Sequence, residues 1–270
     1  MKDKATSHKQ VRAASGFGEV IRTIVYALLI AIVVRTFAYE PFNIPSGSMI
    51  PTLLIGDYLF VSKFSYGYSR YSFPFWPPPF SGRFFGGEPQ RGDVVVFKQP
   101  ANPSTDFIKR LIGLPGDRIQ VVGSTLYVNG VPAKRTWVGK FVDSENGGST
   151  EREEYEEVLP NGVKHMMLLD GIDGTPPKDC APNTFANTKT EAENTCVFIV
   201  PPHTYFMMGD NRDNSSDSRV RDSGVGFVPA ENLVGRAEFI FFSTNGSASW
   251  WEIWKWPFAI RYDRLFKAIR

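Results

Sequence analysis

One segment constrains this chain before anything else: Thr23 to Val34 (TIVYALLIAIVV) is apolar at every position but Thr23 and is bracketed by Arg22 and Arg35. With Val20, Ile21, Thr36, Phe37 and Ala38 it reaches about 19 residues, close to the ~20 a helix needs to cross a bilayer, and both arginines lie near the ends where they can snorkel. The pattern predicts one transmembrane helix over 20–38. Lys2, Lys4, Lys9, Arg12 and Arg22 stand on its N-terminal side against Asp3 and Glu19, so the positive-inside rule keeps the tail 1–19 cytoplasmic and exports the chain beyond the helix. A cleaved secretory signal is the competing reading. Thr36-Phe37-Ala38 makes a poor small-residue cleavage pattern, which favours a retained anchor.

Beyond the helix the periods are those of strands. Val94-Val95-Val96-Phe97 follows the turn signal Arg91-Gly92-Asp93, and Ile119 to Val131 reads as strands with turns at Gly123-Ser124 and Asn129-Gly130. Val197 to Val200, Tyr205 to Met208 and Ala237 to Phe242 add more. The chain's 24 glycines and 20 prolines are scattered among these short runs, as in a turn-rich β protein. The stretch 133–194 is polar, rich in Glu, Gly, Asn and Thr, and reads as a loop-rich insertion or small second domain. Cys180 and Cys196 are the only cysteines. On an exported domain they favour a disulfide closing a loop of about 16 residues, two buried thiols being the alternative.

Two segments read as lipid-facing. Tyr71 to Phe85 (YSFPFWPPPFSGRFF) crowds aromatics among prolines, which can donate to neither a helix nor a sheet ladder, so a rigid aromatic loop remains. Trp250, Trp251, Trp254, Trp256 and Phe258, followed by Arg261, Arg264, Lys267 and Arg270, join interfacial aromatics to cations that anionic headgroups attract. Packing into the domain is the alternative for both. Net charge is only +2 from 30 basic and 28 acidic residues, with no basic stripe, so nucleic acid is not an expected partner. His8, His165 and His203 are too far apart to build a zinc site, and no metal or other cofactor is expected.

Three short segments carry chemistry. In Pro45-Ser46-Gly47-Ser48-Met49-Ile50-Pro51 two serines flank a glycine between prolines, a turn able to present a hydroxyl and backbone N–H groups at one spot, as acyl transfer requires; an ordinary loop reads the same way. Lys109 stands among Phe107, Ile108, Leu111 and Ile112, a setting that lowers a lysine pKa by desolvation, although a surface lysine beside Arg110 is the plainer reading. Gly209 to Arg219 (GDNRDNSSDSR) is dense in Asp, Asn and Ser, and by default forms a hydrogen-bonded turn or a calcium-like loop without the terminal Glu of an EF-hand.

In chain order, Ser-Gly-Ser-Met-Ile-Pro-Thr-Leu (46–53), Gly-Asp-Tyr-Leu-Phe-Val-Ser-Lys (56–63), Arg-Gly-Asp-Val-Val-Val-Phe (91–97) running to Lys-Arg-Leu-Ile-Gly-Leu-Pro-Gly-Asp (109–117), and the 209–219 run resemble the signature blocks of bacterial type I signal peptidase. That family is also called leader peptidase and uses a Ser–Lys dyad. The resemblance covers roughly 20–245. It implies a mainly β, antiparallel catalytic domain in two parts, 39–118 and 204–249, around a β-rich insertion over 119–203. One N-terminal transmembrane helix precedes it, and an aromatic and basic segment over 250–270 lies near the membrane. It implies an inner-membrane, single-pass, monomeric endopeptidase with its catalytic domain on the periplasmic side, whose partners are signal peptides of exported preproteins and membrane lipid.

Residue by residue, the resemblance makes Ser48 the nucleophile and Lys109 the general base. A lysine that starts near pKa 10.4 must fall by about 2–3 units to serve. The Ser48 N–H and the Ser46 hydroxyl would hold the oxyanion, Ser215 would orient Lys109, and Asp217 with Arg219 would brace that loop. Ile44, Met49, Leu53, Phe107 and Ile108 match positions lining a shallow apolar surface that accepts small side chains before the cut. His203 is an untested competitor for the base, and His165 lies in the polar insertion. Two departures stand out. Val220 to Gly226 makes the last block longer than in some members, and there is one anchor helix where some have two. Two other readings stay open: a Ser–Lys peptidase of another purpose, such as pilin or conjugation maturation or a self-cleaving repressor, and a catalytically silent membrane-tethered binding protein.

Overall fold

The computed structural model describes residues 16–73, 81–143, 150–171, 180–188, 191–249 and 251–270. Helix α1 (Gly16–Phe37) has 22 residues, a length of about 33 Å against a hydrocarbon core of ~30 Å. It is apolar on all sides, and its large side chains from Val20 to Val34 are exposed. A surface helix of a soluble domain would carry a polar face. The expected span of 20–38 thus coincides with one continuous helix to within a residue at its C-terminal end.

Strand β1 (Tyr39–Asn43) pairs antiparallel with β2 (Asp57–Ser62), and β3 (Tyr68–Ser69) with β4 (Arg83–Phe84). β5 (Val94–Lys98) and β6 (Asp106–Gly113) form the next hairpin. β7 (Arg118–Val122), β8 (Thr125–Val128) and β9 (Val131–Pro132) come next as a meander. Its two connections are the turns read from sequence: Gly123 and Ser124 have φ 52° and 59°, Asn129 and Gly130 55° and 79°. Two consecutive positive φ values match the twist of the flanking strands, which is why Asn and Gly sit there. β10 (Lys134–Asp143), β11 (Thr150–Val158) and β12 (Lys164–Leu169) make a separate three-stranded sheet. β13 (Phe198–Ile199) returns to β7, and β14 (Thr204–Met208), β15 (Phe227–Pro229) and β16 (Leu233–Ser243) complete the main sheet.

That main sheet has seven antiparallel strands in the order β1-β2-β16-β5-β6-β14-β15. β5 is central and covered on both faces. Val94 and Val96 pack with Leu59, Val61 and Ile240, whereas Val95 and Phe97 pack with Leu111, Met207 and Leu233. Burial on both sides explains a run of four apolar residues where a half-exposed strand would alternate.

The loop-rich reading of 133–194 is corrected: β10 and β11 are strands of 10 and 9 residues. They escaped the apolar pattern because their sheet is held partly by charge pairs between neighbouring strands, Lys140–Glu151 at 2.9 Å and Lys164–Glu156 at 3.0 Å, while Trp137, Val138 and Val142 stay exposed. Cross-strand pairs of this kind stabilise a sheet without a greasy face. Cys180 and Cys196 are joined in a disulfide, which fastens the segment leading into β13.

The C-terminal segment divides in two. Trp251, Ile253, Trp254 and Phe258 are exposed, as a lipid-facing reading requires, while Trp250 and residues 74–80 of the aromatic loop lie outside the described residues. After Ala259 the chain docks on β16, with Ile240 N–H donating to Lys267 O at 2.9 Å and Ile269 N–H to Glu238 O at 2.9 Å. Arg264 therefore does not face headgroups. It is buried, with Nε donating to Asp57 Oδ1 at 3.0 Å, because Asp57 at the start of β2 is itself fully buried and needs a counterion.

Candidate active site

The β1–β2 connection is pinned from below. Ile44, Met49 and Leu53 are buried among Leu59, Val61, Val94 and Ile240, so residues 47–49 form a 3₁₀ turn seated on the core with Ser48 half-buried at its surface. Met49 and Leu53, expected in the substrate-facing surface, are fully buried beneath that turn. Ile44, Phe107 and Ile108 line an open groove with Pro45, Ser46 and Lys109. Ser46 precedes the turn in an extended conformation, and its hydroxyl makes no capping bond.

Strand β6 brings Lys109 to the same place. Its Nζ lies 2.6 Å from Ser48 Oγ and 3.0 Å from Ile108 O, and 5.3 Å from the centre of the Phe107 ring. The side chain is 3% exposed, and its strand neighbours Leu111 and Ile112 are fully buried. A hydroxyl within hydrogen-bonding distance of a buried amine is an arrangement in which proton transfer between the two is geometrically open.

The polar 209–219 run wraps the Ser48 turn. Asn211 N–H donates to Ser48 O at 3.1 Å, and Asn211 Nδ2 to Gly47 O at 2.9 Å. Gly209 is there for closeness: a Cβ on it would stand 2.2 Å from Ser215 Oγ and 2.5 Å from Ser48 O. Gly209 N–H donates to Asp217 Oδ2 at 3.0 Å, and Arg219 grips Asp217 through Nε and Nη2, both at 2.9 Å. Burial alone would raise the Asp217 carboxyl pKa, but the Arg219 guanidinium outweighs it and holds the pKa below the usual range. The expected Asp217–Arg219 brace is thus present. Ser215 is buried beneath Gly209, and its hydroxyl has no hydrogen bond of good geometry among the described residues, although it lies close enough to Asp217 to favour the carboxylate.

A second layer of charge gives no signal in the sequence. Arg110 donates to both oxygens of Asp210, at 2.8 and 2.7 Å, and Thr52 Oγ1 donates to Asp210 Oδ2 at 2.6 Å. His165 on β12 stands between two carboxylates, Nε2 3.0 Å from Glu157 Oε2 and Nδ1 3.4 Å from Asp210 Oδ1, and Arg212 Nη1 donates to Glu157 Oε1 at 3.1 Å. All five ionisable groups are buried. Burial pushes the Glu157 pKa up, yet Arg212 and His165 bring it down to about 2, and Arg110 holds Asp210 low in the same way. His165 therefore belongs to the frame of the site, on a strand whose next four residues, Met166 to Leu169, are apolar. His203 is exposed at the turn into β14, its carbonyl accepting from Ala230 N–H.

Residues 17–242 match the family model described as signal peptidase, peptidase S26. A signal peptidase I of Rickettsia typhi (strain ATCC VR-144 / Wilmington) is 41% identical over 255 residues, covering 90% of this chain and 90% of its own length. One of Rickettsia prowazekii (strain Madrid E) is 40% identical, covering 98% and 97%. A crystal structure of a signal peptidase I from Enterococcus faecalis V583 aligns at 25% identity over 56% of this chain and 97% of its own, with a TM-score of 0.30. With its signature blocks folded around one serine and one buried lysine, and with matched relatives spanning nearly their whole length, the chain belongs to the signal peptidase family, peptidase S26.

Proposed function

We propose that this chain is a membrane-anchored serine endopeptidase that removes N-terminal signal peptides from exported preproteins, with Ser48 as nucleophile and Lys109 as general base. The contact of 2.6 Å between Lys109 Nζ and Ser48 Oγ carries this reading. The mechanism needs Lys109 as the neutral amine, which accepts the Ser48 proton as Oγ attacks the scissile carbonyl. The tetrahedral oxyanion is held by the Ser48 N–H and the Ser46 hydroxyl. Collapse breaks the C–N bond, the new Lys109 ammonium protonates the leaving amine, and a water deprotonated by Lys109 then hydrolyses the acyl-enzyme. In this reading Ser215 orients the Lys109 amine, and the Asp217–Arg219 pair braces the loop that fixes the serine turn from behind.

The groove of Ile44, Phe107 and Ile108 takes small side chains before the cut, larger ones being rejected by contact. The exposed helix α1 places the enzyme in the inner membrane in a single pass, its N-terminus in the cytoplasm and its catalytic domain on the exported side. Lipid and signal peptides are its partners. Each copy carries the whole dyad, so a monomer suffices, and the near-zero net charge gives nucleic acid no purchase. Ser48→Ala and Lys109→Ala should each abolish preprotein processing while leaving the melting temperature near that of wild type. Wild-type-like turnover in either variant would falsify the dyad.

A further inference from the structure

The join between the membrane helix and the catalytic sheet has no slack. α1 ends at Phe37 and β1 begins at Tyr39. The residue between them is tied on both sides, Ala38 N–H donating to Val34 O at 2.7 Å and Ala38 O accepting from Lys63 N–H at 3.0 Å. The Phe37 carbonyl, one of the last-turn acceptors a helix leaves without an internal partner, takes a hydrogen bond from Tyr68 Oη at 2.6 Å. The Phe37 ring meets Tyr68 and Phe73 edge-on, with centroids 5.6 and 6.3 Å away.

Side chains lock the same corner. Glu40 on β1 divides its carboxylate between the two bodies: Oε1 accepts from Arg35 Nη2, in the last turn of the helix, at 2.8 Å, and Oε2 lies 2.8 Å from Lys63 Nζ, just past β2. Lys63 is 1% exposed, and its ammonium also donates to Ser72 O at 2.7 Å. A buried ammonium is tolerated only when paired, so Lys63 fixes Glu40, and Glu40 in turn holds the helix through Arg35. Mere tethering requires none of this, since a flexible linker keeps a domain near a membrane equally well.

Rigidity here reaches the chemistry, because Tyr39 to Asn43 are registered against β2 and lead directly into the Ser48 turn. Resting on the signal-peptidase reading, we infer that the Arg35–Glu40–Lys63 triad and the Tyr68–Phe37 bond form a stiff joint that fixes the height of the Ser48–Lys109 dyad above the bilayer. Arg35, Glu40 and Tyr68 are then positioning residues that select signal peptides by the length of their apolar segment. A substrate's own apolar helix is seated in the same bilayer. Four residues added to it move the cleavage site by about 6 Å along the helix axis, a shift that a stiff enzyme rejects and a loosened one tolerates.

The test uses the full chain in vesicles of phosphatidylethanolamine and phosphatidylglycerol. It is given preproteins whose apolar segment is unaltered, shortened by four residues or lengthened by four leucines, and a short peptide containing the cleavage site is assayed in detergent. Glu40→Gln strands the buried Lys63 and endangers the fold. Arg35→Gln combined with Tyr68→Phe opens the joint while leaving the Glu40–Lys63 pair in place. Wild type should cut the unaltered preprotein about tenfold faster than the altered ones, and the double variant should reduce that ratio to about threefold or less with peptide cleavage within about twofold of wild type. An unchanged ratio in the double variant, or no length preference in wild type, overturns the joint. So does a fall in peptide cleavage equal to the fall on preproteins, which marks a general loss of structure. A wild-type chain that leaves even the peptide uncut overturns the signal-peptidase reading itself.

Discussion

Glu157→Gln tests whether the insertion sheet holds the active-site frame. Glu157 projects from β11 into a fully buried cluster with Arg212 and His165, and its pKa is drawn from 4.5 to about 2. Burial raises it, and the neighbouring cations more than offset that rise. Because the folded-state pKa lies below the unfolded one, the stability is fully present above about pH 5 and is lost as pH falls toward 2. The gap between the two pKa values, at about 1.4 kcal/mol per unit, amounts to about 3 kcal/mol, of which about 2 kcal/mol is gone by pH 3. In the variant Arg212 stays buried without its counterion, a loss on the order of 3–5 kcal/mol. For a region of this size that lowers the melting temperature at pH 7 by roughly 6–20 °C. Scanning calorimetry of the detergent-solubilised full chain at pH 7 and pH 3 reads both quantities. Asp210 and Asp217 also have depressed pKa values and add to the acid sensitivity of both proteins, so the informative number is wild type minus variant, which should shrink between pH 7 and pH 3. A variant that melts with wild type at pH 7, or a difference that does not narrow in acid, refutes the reasoning.

Ser46→Ala should slow turnover by about 10²–10³ without abolishing it, since one oxyanion donor is lost and the backbone donor remains; unchanged single-turnover kinetics would reduce Ser46 to a loop residue. Asn211→Ala removes the side-chain bond to Gly47 O but keeps the backbone bond to Ser48 O and leaves Gly47 O accepting from Ile50 N–H, so kcat should fall about fivefold with KM little changed, as the serine turn loses one hydrogen bond worth about 1 kcal/mol. A chain lacking residues 1–35 should stay folded and still bind liposomes, and replacing Trp251, Trp254 and Trp256 with Ala should weaken that binding while peptide cleavage in detergent holds steady; sedimentation with vesicles measures it.

The range of the forces involved decides which parts of the molecule are legible in its sequence. A membrane helix is specified by about 20 consecutive apolar residues, and a two-residue hairpin turn by one pair that tolerates positive φ. Both are local, and α1 and the turns at 123–124 and 129–130 stand where those local patterns predict them. Ser48 and Lys109 are legible for a different reason: their chemistry demands particular residue types in a particular order, and that order resembles a known family.

The frame beneath them imposes no such pattern. Arg110 meets Asp210 across 100 residues, Glu157 meets Arg212 across 55, and Asp57 meets Arg264 across 207. Each partner looks, in sequence, like any solvated charge, and a charge declares itself buried only once the fold has found its mate. That is why Arg264 reads as a headgroup contact, and His165 as one more polar residue of the insertion. The same reasoning separates two kinds of fragility in this site. Replacing a member of the proposed dyad should stop the reaction and leave the frame intact, whereas removing one partner of a buried pair leaves an uncompensated charge beside the turn that carries Ser48. Stability and activity should therefore fall together for Glu157, Asp210 and Asp217, and apart for Ser48 and Lys109.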